Sequence, residues 1–278
     1  MLPPPSSDLE SRIRASLKNV RLVVVKIGAS SLSNEQGALD LSKIAALCDE
    51  LVALRKRGID VVLVSSGAIR AGKAILREQL KNGEIKNLQA LAAVGQVLLM
   101  EAYRDTMAER GYPVAQILLT WDDFRNKTRT KNLINTFETL LSLGVIPIIN
   151  ENDTIAVEEI KFGDNDTLSA LVAVNLKANL LILLSDIDGL YTGDPSSPSS
   201  RLIPFVEAVT PDIELLASKR HGGIGGMATK LSAGKLATEN GIPMVITNGG
   251  IKMVLERIVD GEHIGTIFMP RDTDAKIK

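Results

Sequence analysis

Two polar clusters, Asn150-Glu151-Asn152-Asp153 and Gly163-Asp164-Asn165-Asp166, lie ten residues apart and bring together three aspartates and three asparagines. The first closes an apolar run, Val145-Ile146-Pro147-Ile148-Ile149, that reads as a buried strand. Carboxylates and amides gathered at a strand end suit a small charged ligand or a metal ion. Any one of these residues taken singly is as readily an Asx-turn residue. The whole cluster beside a buried strand is what argues for a site.

Other strand ends carry glycine or small polar residues: Lys26-Ile27-Gly28-Ala29-Ser30, Ser65-Ser66-Gly67-Ala68 and Ser185-Asp186-Ile187-Asp188-Gly189. Glycine after a strand lets backbone N–H groups approach an anion, and a following helix adds its positive end. Lys26 closes an aliphatic strand and reads two ways, as an ammonium aimed at a phosphate or as a lysine snorkelling from a strand terminus. The segment His221-Gly222-Gly223-Ile224-Gly225-Gly226-Met227-Ala228-Thr229-Lys230 puts four glycines before a helix and could form an anion nest with Lys230 at its mouth. A flexible loop with a chance lysine would look the same. Gly67-Ala68-Ile69-Arg70-Ala71-Gly72-Lys73 fits G-x-x-x-x-G-K, but Ala74 stands where the phosphate-binding loop needs Ser or Thr. With Ile69 and Ala71 inside it, the segment reads as a helix already begun, and the match as accidental.

The elements that must position these groups alternate. Aliphatic strands are expected at 22–27, 61–65, 114–118, 145–150, 180–185 and 244–247, and helices at 40–57, 88–110, 129–143, 167–176 and 230–240. Gly58, Gly111, Gly144 and Gly241 punctuate four of the helices. This rhythm predicts an α/β fold, a three-layer α/β/α sandwich with a mainly parallel open sheet. Residues 1–18 read as a tail with a short helix, 19–270 as one domain (a substrate half to about 175, a nucleotide half after it) and 271–278 as a C-terminal tail. Residues 191–200, rich in Ser and Pro, read as an exposed turn or hairpin.

Composition narrows the function classes. The 278 residues are 45% hydrophobic but only 3% aromatic, an aliphatic content suited to parallel strands under helices. With Lys+Arg 32 against Asp+Glu 33 and a net charge of −1, nothing electrostatic points to nucleic acid or a membrane surface. Cys48 is the single cysteine, so a disulfide framework is excluded, and its place on an amphipathic stretch predicts a buried thiol. No run approaches a membrane span of about 18–20 apolar residues. The N-terminal segment lacks a signal peptide's apolar core, so the expected location is cytoplasmic.

Together these segments resemble the amino acid kinase family, from about Val23 to Phe268. The resemblance rests on Val24–Ser30, Val64–Ile69, Ala92-Ala93-Val94-Gly95-Gln96, Ile149–Asp153, Gly163–Ala170, Asp188–Tyr191 and Gly225–Lys230, in that order. Within the family, Asn150–Asp153 and Gly163–Asp166 resemble the branch that acts on free glutamate. The resemblance implies ATP-dependent phosphorylation of the L-glutamate γ-carboxylate, the first step of proline synthesis from glutamate. It implies Lys26, Lys230 and Asp166 as catalytic, the two lysines contacting the transferring phosphoryl group and the aspartate holding them. Ser66, Gly67, Ala68, Asn150, Asp153, Asp164 and Asn165 are implied to bind glutamate. Lys26, Gly28, Ser185, Asp186 and the run Ile224, Gly225, Gly226, Met227, Ala228, Thr229, Lys230 are implied to bind ATP. Mg²⁺ is implied as MgATP, without a separate protein metal site. Proline as feedback inhibitor and a homo-oligomer, dimer or tetramer, are implied too.

The chemistry agrees. Phosphoryl transfer between two anions is limited by repulsion and positioning, which two lysines and a fixing carboxylate address. A carboxylate at Asp153 suits a free α-ammonium, which speaks against an N-acylated acceptor. A sister kinase acting on aspartate, carbamate or a phosphorylated alcohol would share the phosphoryl machinery. A non-catalytic sensor on the same fold would be expected to lack one of the lysines.

Overall fold

Val23, Val24 and Val25 are wholly buried in strand β1, Leu22–Ile27, as expected of β-branched residues in a strand covered on both faces. The computed structural model describes residues 7–76, 84–156, 165–218 and 226–271. Two compact units divide the chain, one Lys26–Asn165, the other Met1–Val25 with Asp166–Lys278. The chain passes between them within β1 and again at Asn165–Asp166.

In the Lys26–Asn165 unit, helix α2 (Leu41–Lys56), strand β2 (Asp60–Ser65), helices α3 (Ala68–Leu76) and α4 (Ile85–Ala108), strand β3 (Val114–Leu119), helices α5 (Trp121–Arg125) and α6 (Lys127–Ser142) and strand β4 (Ile146–Glu151) follow in order. Asp40 caps α2 through the amides of Ser42 and Lys43, and Asn126 caps α6 through those of Thr128 and Arg129. Strand order is β3-β4-β2, then the end of β1, and β4 is parallel to both neighbours, with Leu63 opposite Ile148 and Gln116 opposite it on the other side. Cys48 is fully buried in α2, and burial pushes its thiol up to about 12.

Helices α3 and α4 touch backbone to backbone. A Cβ added at Gly95 would stand 1.7 Å from the Ala68 carbonyl oxygen, and one at Gly72 would stand 2.0 Å from that of Leu91. The glycine of the G-x-x-x-x-G-K match is thus a packing glycine, inside a helix as its sequence suggested. Gly95→Ala must force the helices apart, at about 1–3 kcal/mol as for other overpacked sites. A lower urea midpoint at unchanged slope is the expected result, and an unchanged midpoint would contradict the crossing.

In the other unit, which holds most of β1, are α1 (Ser7–Ser16), α7 (Asn165–Asn175, whose first residue belongs to the unit above), β5 (Leu180–Ser185), β6 (Phe205–Val206), α8 (Pro211–Ser218), α9 (Met227–Glu239), β7 (Met244–Asn248), α10 (Val254–Val259) and β8 (Thr266–Phe268). Strand order is β1-β5-β7-β8-β6. β5 and β7 are parallel, with Ser185 opposite Asn248, whereas β8 runs antiparallel to β7. Residues 191–202 form the expected hairpin, with Tyr191 bridging Leu202 and the Thr192 N–H donating to the Arg201 carbonyl at 2.9 Å. Buried Arg14 fixes α1. Its Nε donates to Glu10 at 2.7 Å, and its other nitrogens donate to the carbonyls of Glu262, Ile264, Pro204 and Gly265 at 3.0–3.3 Å. The fold is the mainly parallel, helix-flanked sheet that the sequence rhythm predicts. Among the described residues no helix is long and apolar enough to cross a membrane.

Candidate active site

In the Lys26–Asn165 unit the polar residues gather beyond the carboxyl ends of parallel strands, where open α/β sheets bind ligands. Lys26 is buried at the end of β1, and its Nζ lies 3.8 Å from where a Cβ on Gly28 would stand. The chain leaves β2 at Ser66, whose N–H donates to the Ile27 carbonyl at 3.2 Å. Gly67 then turns with φ +121°, a conformation L side chains rarely adopt, so that α3 can start at Ala68. Asn150 is buried in β4, and Asp153 sits in the turn that follows.

Asn165 joins two of these pieces, the ends of β2 and β4. Its Nδ2 donates both hydrogens, to Ser66 Oγ at 2.7 Å and to Asn150 Oδ1 at 2.8 Å. The same Asn150 oxygen accepts the Glu151 N–H at 2.9 Å. With its donors used, Asn165 presents only its oxygen. That Oδ1, on a residue 0% exposed, has no partner among the described residues, and neither does Asp153 Oδ1, on a residue 4% exposed. Burial holds the Asp153 carboxyl up at about 6. Each is an acceptor that a donor could satisfy, because an unmet buried acceptor costs about 1–3 kcal/mol.

In the other unit, Lys230 Nζ lies 3.0 Å from Asp166 Oδ2, with the aspartate 0% and the lysine 6% exposed. Thr229 Oγ1 stands 2.7 Å from the same oxygen and 2.8 Å from the Gly226 carbonyl, so its single proton is shared between them. Asp166 lies in the first turn of α7, where its charge also meets the positive end of that helix. Gly226 is the N-cap of α9 without a side-chain cap, which leaves first-turn amides for an anion. Met227 is buried and Ala228 exposed, so neither side chain adds polarity to that turn. Ser185 and Asp186 stand at the end of β5, Ser185 Oγ donating to Asp186 at 3.1 Å. Beside them Asn248 Nδ2 donates to Asp188 at 2.9 Å, joining the β5 and β7 ends.

Asp164, Ile224 and Gly225, all expected in the site, lie outside the described residues. Three polar residues were given no role from sequence. Asn248 could have been found as the small polar residue ending a buried strand. Gln96, which accepts from Asn150, closes a segment that carries the family resemblance but has no assigned role there, and Tyr103, whose hydroxyl lies 2.8 Å from Ser65 Oγ, has no local signature; both sit on a helix distant in sequence from their partners.

The profile of the amino acid kinase family matches residues 21–248, a span containing both clusters. A glutamate 5-kinase of Clostridium tetani is 50% identical over 255 residues, 91% of this chain and 96% of the relative. The glutamate 5-kinase of Trichlorobacter lovleyi is 48% identical over 260 residues, 92% of this chain and 69% of its own. That of Clostridium perfringens is 45% identical over 266 residues, 93% and 99%. Among solved structures, a carbamate kinase from Giardia lamblia bound to AMP-PNP aligns with a TM-score of 0.65 at 15% identity, over 91% of this chain and 99% of that one. A UMP kinase from Bacillus anthracis aligns at 0.62 and 14%, over 91% and 97%. At such identities the structures speak for the fold alone. The relatives speak for descent, and the chain belongs to the amino acid kinase family, in its glutamate 5-kinase branch.

Proposed function

We infer that this chain transfers a phosphoryl group from ATP to the γ-carboxylate of L-glutamate, giving L-glutamyl 5-phosphate for proline biosynthesis. The observation that carries the reading is the 45–50% identity to glutamate 5-kinases over about 92% of the chain. The geometry of each unit supports it. MgATP, when bound, would supply the phosphoryl donor, with phosphate oxygens among the metal's ligands. The uncapped first turn of α9, with Lys230 one turn in, fits a triphosphate.

Each residue then has a task. Lys230, paired with Asp166, neutralises charge on the phosphoryl group in transit, and Lys26 does so from the end of β1. Gly28 and Gly226 bring backbone amides to phosphate oxygens. Asp153 and Asn165 Oδ1 take the α-ammonium of glutamate, while Ser66 and the amides at Gly67 and Ala68 face its carboxylates. Ser185 and Asp186 contact the nucleoside. On this basis the Lys26–Asn165 unit handles the amino acid and the other unit the nucleotide. Feedback inhibition by proline, a homo-oligomer and a cytoplasmic location belong to the same reading. Proline carries an ammonium and an α-carboxylate and would compete for Asp153.

The test is incubation with MgATP and hydroxylamine, offering L-glutamate, L-aspartate or N-acetyl-L-glutamate separately. Hydroxamate with glutamate alone is expected. Hydroxamate with another acceptor alone would move the chain to a sister specificity, and none with any acceptor would remove the reading.

A further inference from the structure

Resting on that reading, we propose that Gln96 is a positioning residue for the acceptor: its side-chain oxygen fixes the orientation of the Asn150 amide and, through it, that of Asn165. Gln96 lies on α4 and Gln116 on β3. Gln96 Nε2 donates to Gln116 Oε1 at 3.3 Å, and Gln96 Oε1 accepts from Asn150 Nδ2 at 3.0 Å. Asn150 Oδ1 in turn accepts from Asn165 Nδ2 and the Glu151 N–H.

The two ends of a carboxamide are nearly alike in shape and opposite in hydrogen bonding. A flipped Asn150 would set its own N–H groups against two donors and its oxygen against the Gln96 oxygen, so Gln96 holds the observed orientation from the far side. With Asn150 fixed, Asn165 must spend its hydrogens on Asn150 and Ser66. Its oxygen is thereby left, buried, for a ligand's donor. The orientation runs from Gln116 through Gln96 and Asn150 to the atom assigned here to the substrate ammonium. Seven residues further along α4, Tyr103 lies 2.8 Å from Ser65 Oγ at the end of β2, so one face of this helix supports two ligand-bearing strand ends.

The experiment compares Gln96→Leu, which cannot accept, with Gln96→Glu, which can, Gln116 turning its own amide to donate. Gln96→Leu is expected to raise KM for glutamate about tenfold, the scale of one lost hydrogen bond, with kcat and KM for ATP within about threefold. Gln96→Glu is expected to stay within about threefold of wild type throughout. Combined with Asn150→Ala, Gln96→Leu should add nothing further, because both act through the same amide. The proposal is overturned if Gln96→Leu leaves KM unchanged, if Gln96→Glu loses as much as Gln96→Leu, or if the two effects multiply. Gln96→Met, which keeps the chain length, stands in where Gln96→Leu does not fold. Should wild-type protein make no hydroxamate from glutamate, the functional reading falls. The positioning is then decided on ligand-free protein by the side-chain NMR signals of Asn150, identified by their loss in Asn150→Ala. Doubling or broadening in Gln96→Leu but not in Gln96→Glu supports it, and unchanged signals in Gln96→Leu overturn it.

Discussion

Lys230→Met is expected to lower kcat about 10³-fold, the scale seen when one preorganised charge-stabilising group is removed from a buried site. The same change leaves Asp166 as a carboxylate with 0% exposure and without the ammonium now 3.0 Å away. Breaking a buried pair from one side costs about 3–5 kcal/mol of stability, so loss of activity alone would not identify the lysine's task. The double variant Lys230→Met/Asp166→Asn separates the two. With both charges gone, stability is expected to return most of the way, measured by urea unfolding, while kcat stays low. Recovery of activity together with stability would show that Lys230 holds the fold and takes no part in transfer.

Asp153→Asn is expected to raise KM for glutamate about 100-fold, as when one partner of a buried charge pair is truncated, with a much smaller change in kcat. The wild-type pH profile should report the same group. Because burial holds this carboxyl at about 6, it is neutral in the free protein below that pH and cannot pair with an ammonium. For wild type, kcat/KM for glutamate should fall about tenfold per pH unit below about 6 and level off above it. Asp153→Asn should lack this inflection, and a shared inflection would assign it elsewhere. Stability moves the other way. The folded pKa lies above the ordinary carboxylate value of 3.8, so this group's contribution is fully present below 3.8 and is lost as pH rises through about 6. At pH 8 Asp153→Asn should therefore be the more stable protein, by on the order of 1–3 kcal/mol, with the difference vanishing near pH 4. A better-folded and weaker-binding variant is the signature of a carboxylate kept in the site for its ligand.

Much of this was legible in the chain. β1 and β5 are uninterrupted aliphatic runs, and Gly58, Gly111, Gly144 and Gly241, read as helix stops, have φ between 74° and 79°. The clusters at Asn150–Asp153 and Asn165–Asp166 were visible because each sits where a buried element meets a polar stretch. β6 and β8 were not found. They have two and three residues, too few for any period to show, and their pairing partners, each other and β7, make them strands. Helix α10, six residues long, is similarly short, and α8 begins at a proline after a stretch that reads as loop. The role of Gln96, which closes one of the segments that carry the family resemblance, was hidden for another reason. Its partner Asn150 is 54 residues away, and nothing local distinguishes a glutamine that orients an amide from one that faces water.

Arg14 gives the molecule an order of assembly. The carbonyls that receive its guanidinium belong to residues 190 to 251 positions downstream. At the ribosome, with synthesis at about 5–20 residues per second, the last of them emerges roughly 12–50 s after Arg14 itself. The contiguous stretch Lys26–Asn165 can close its own core during that interval, whereas α1, made before it, finds its seat only afterwards.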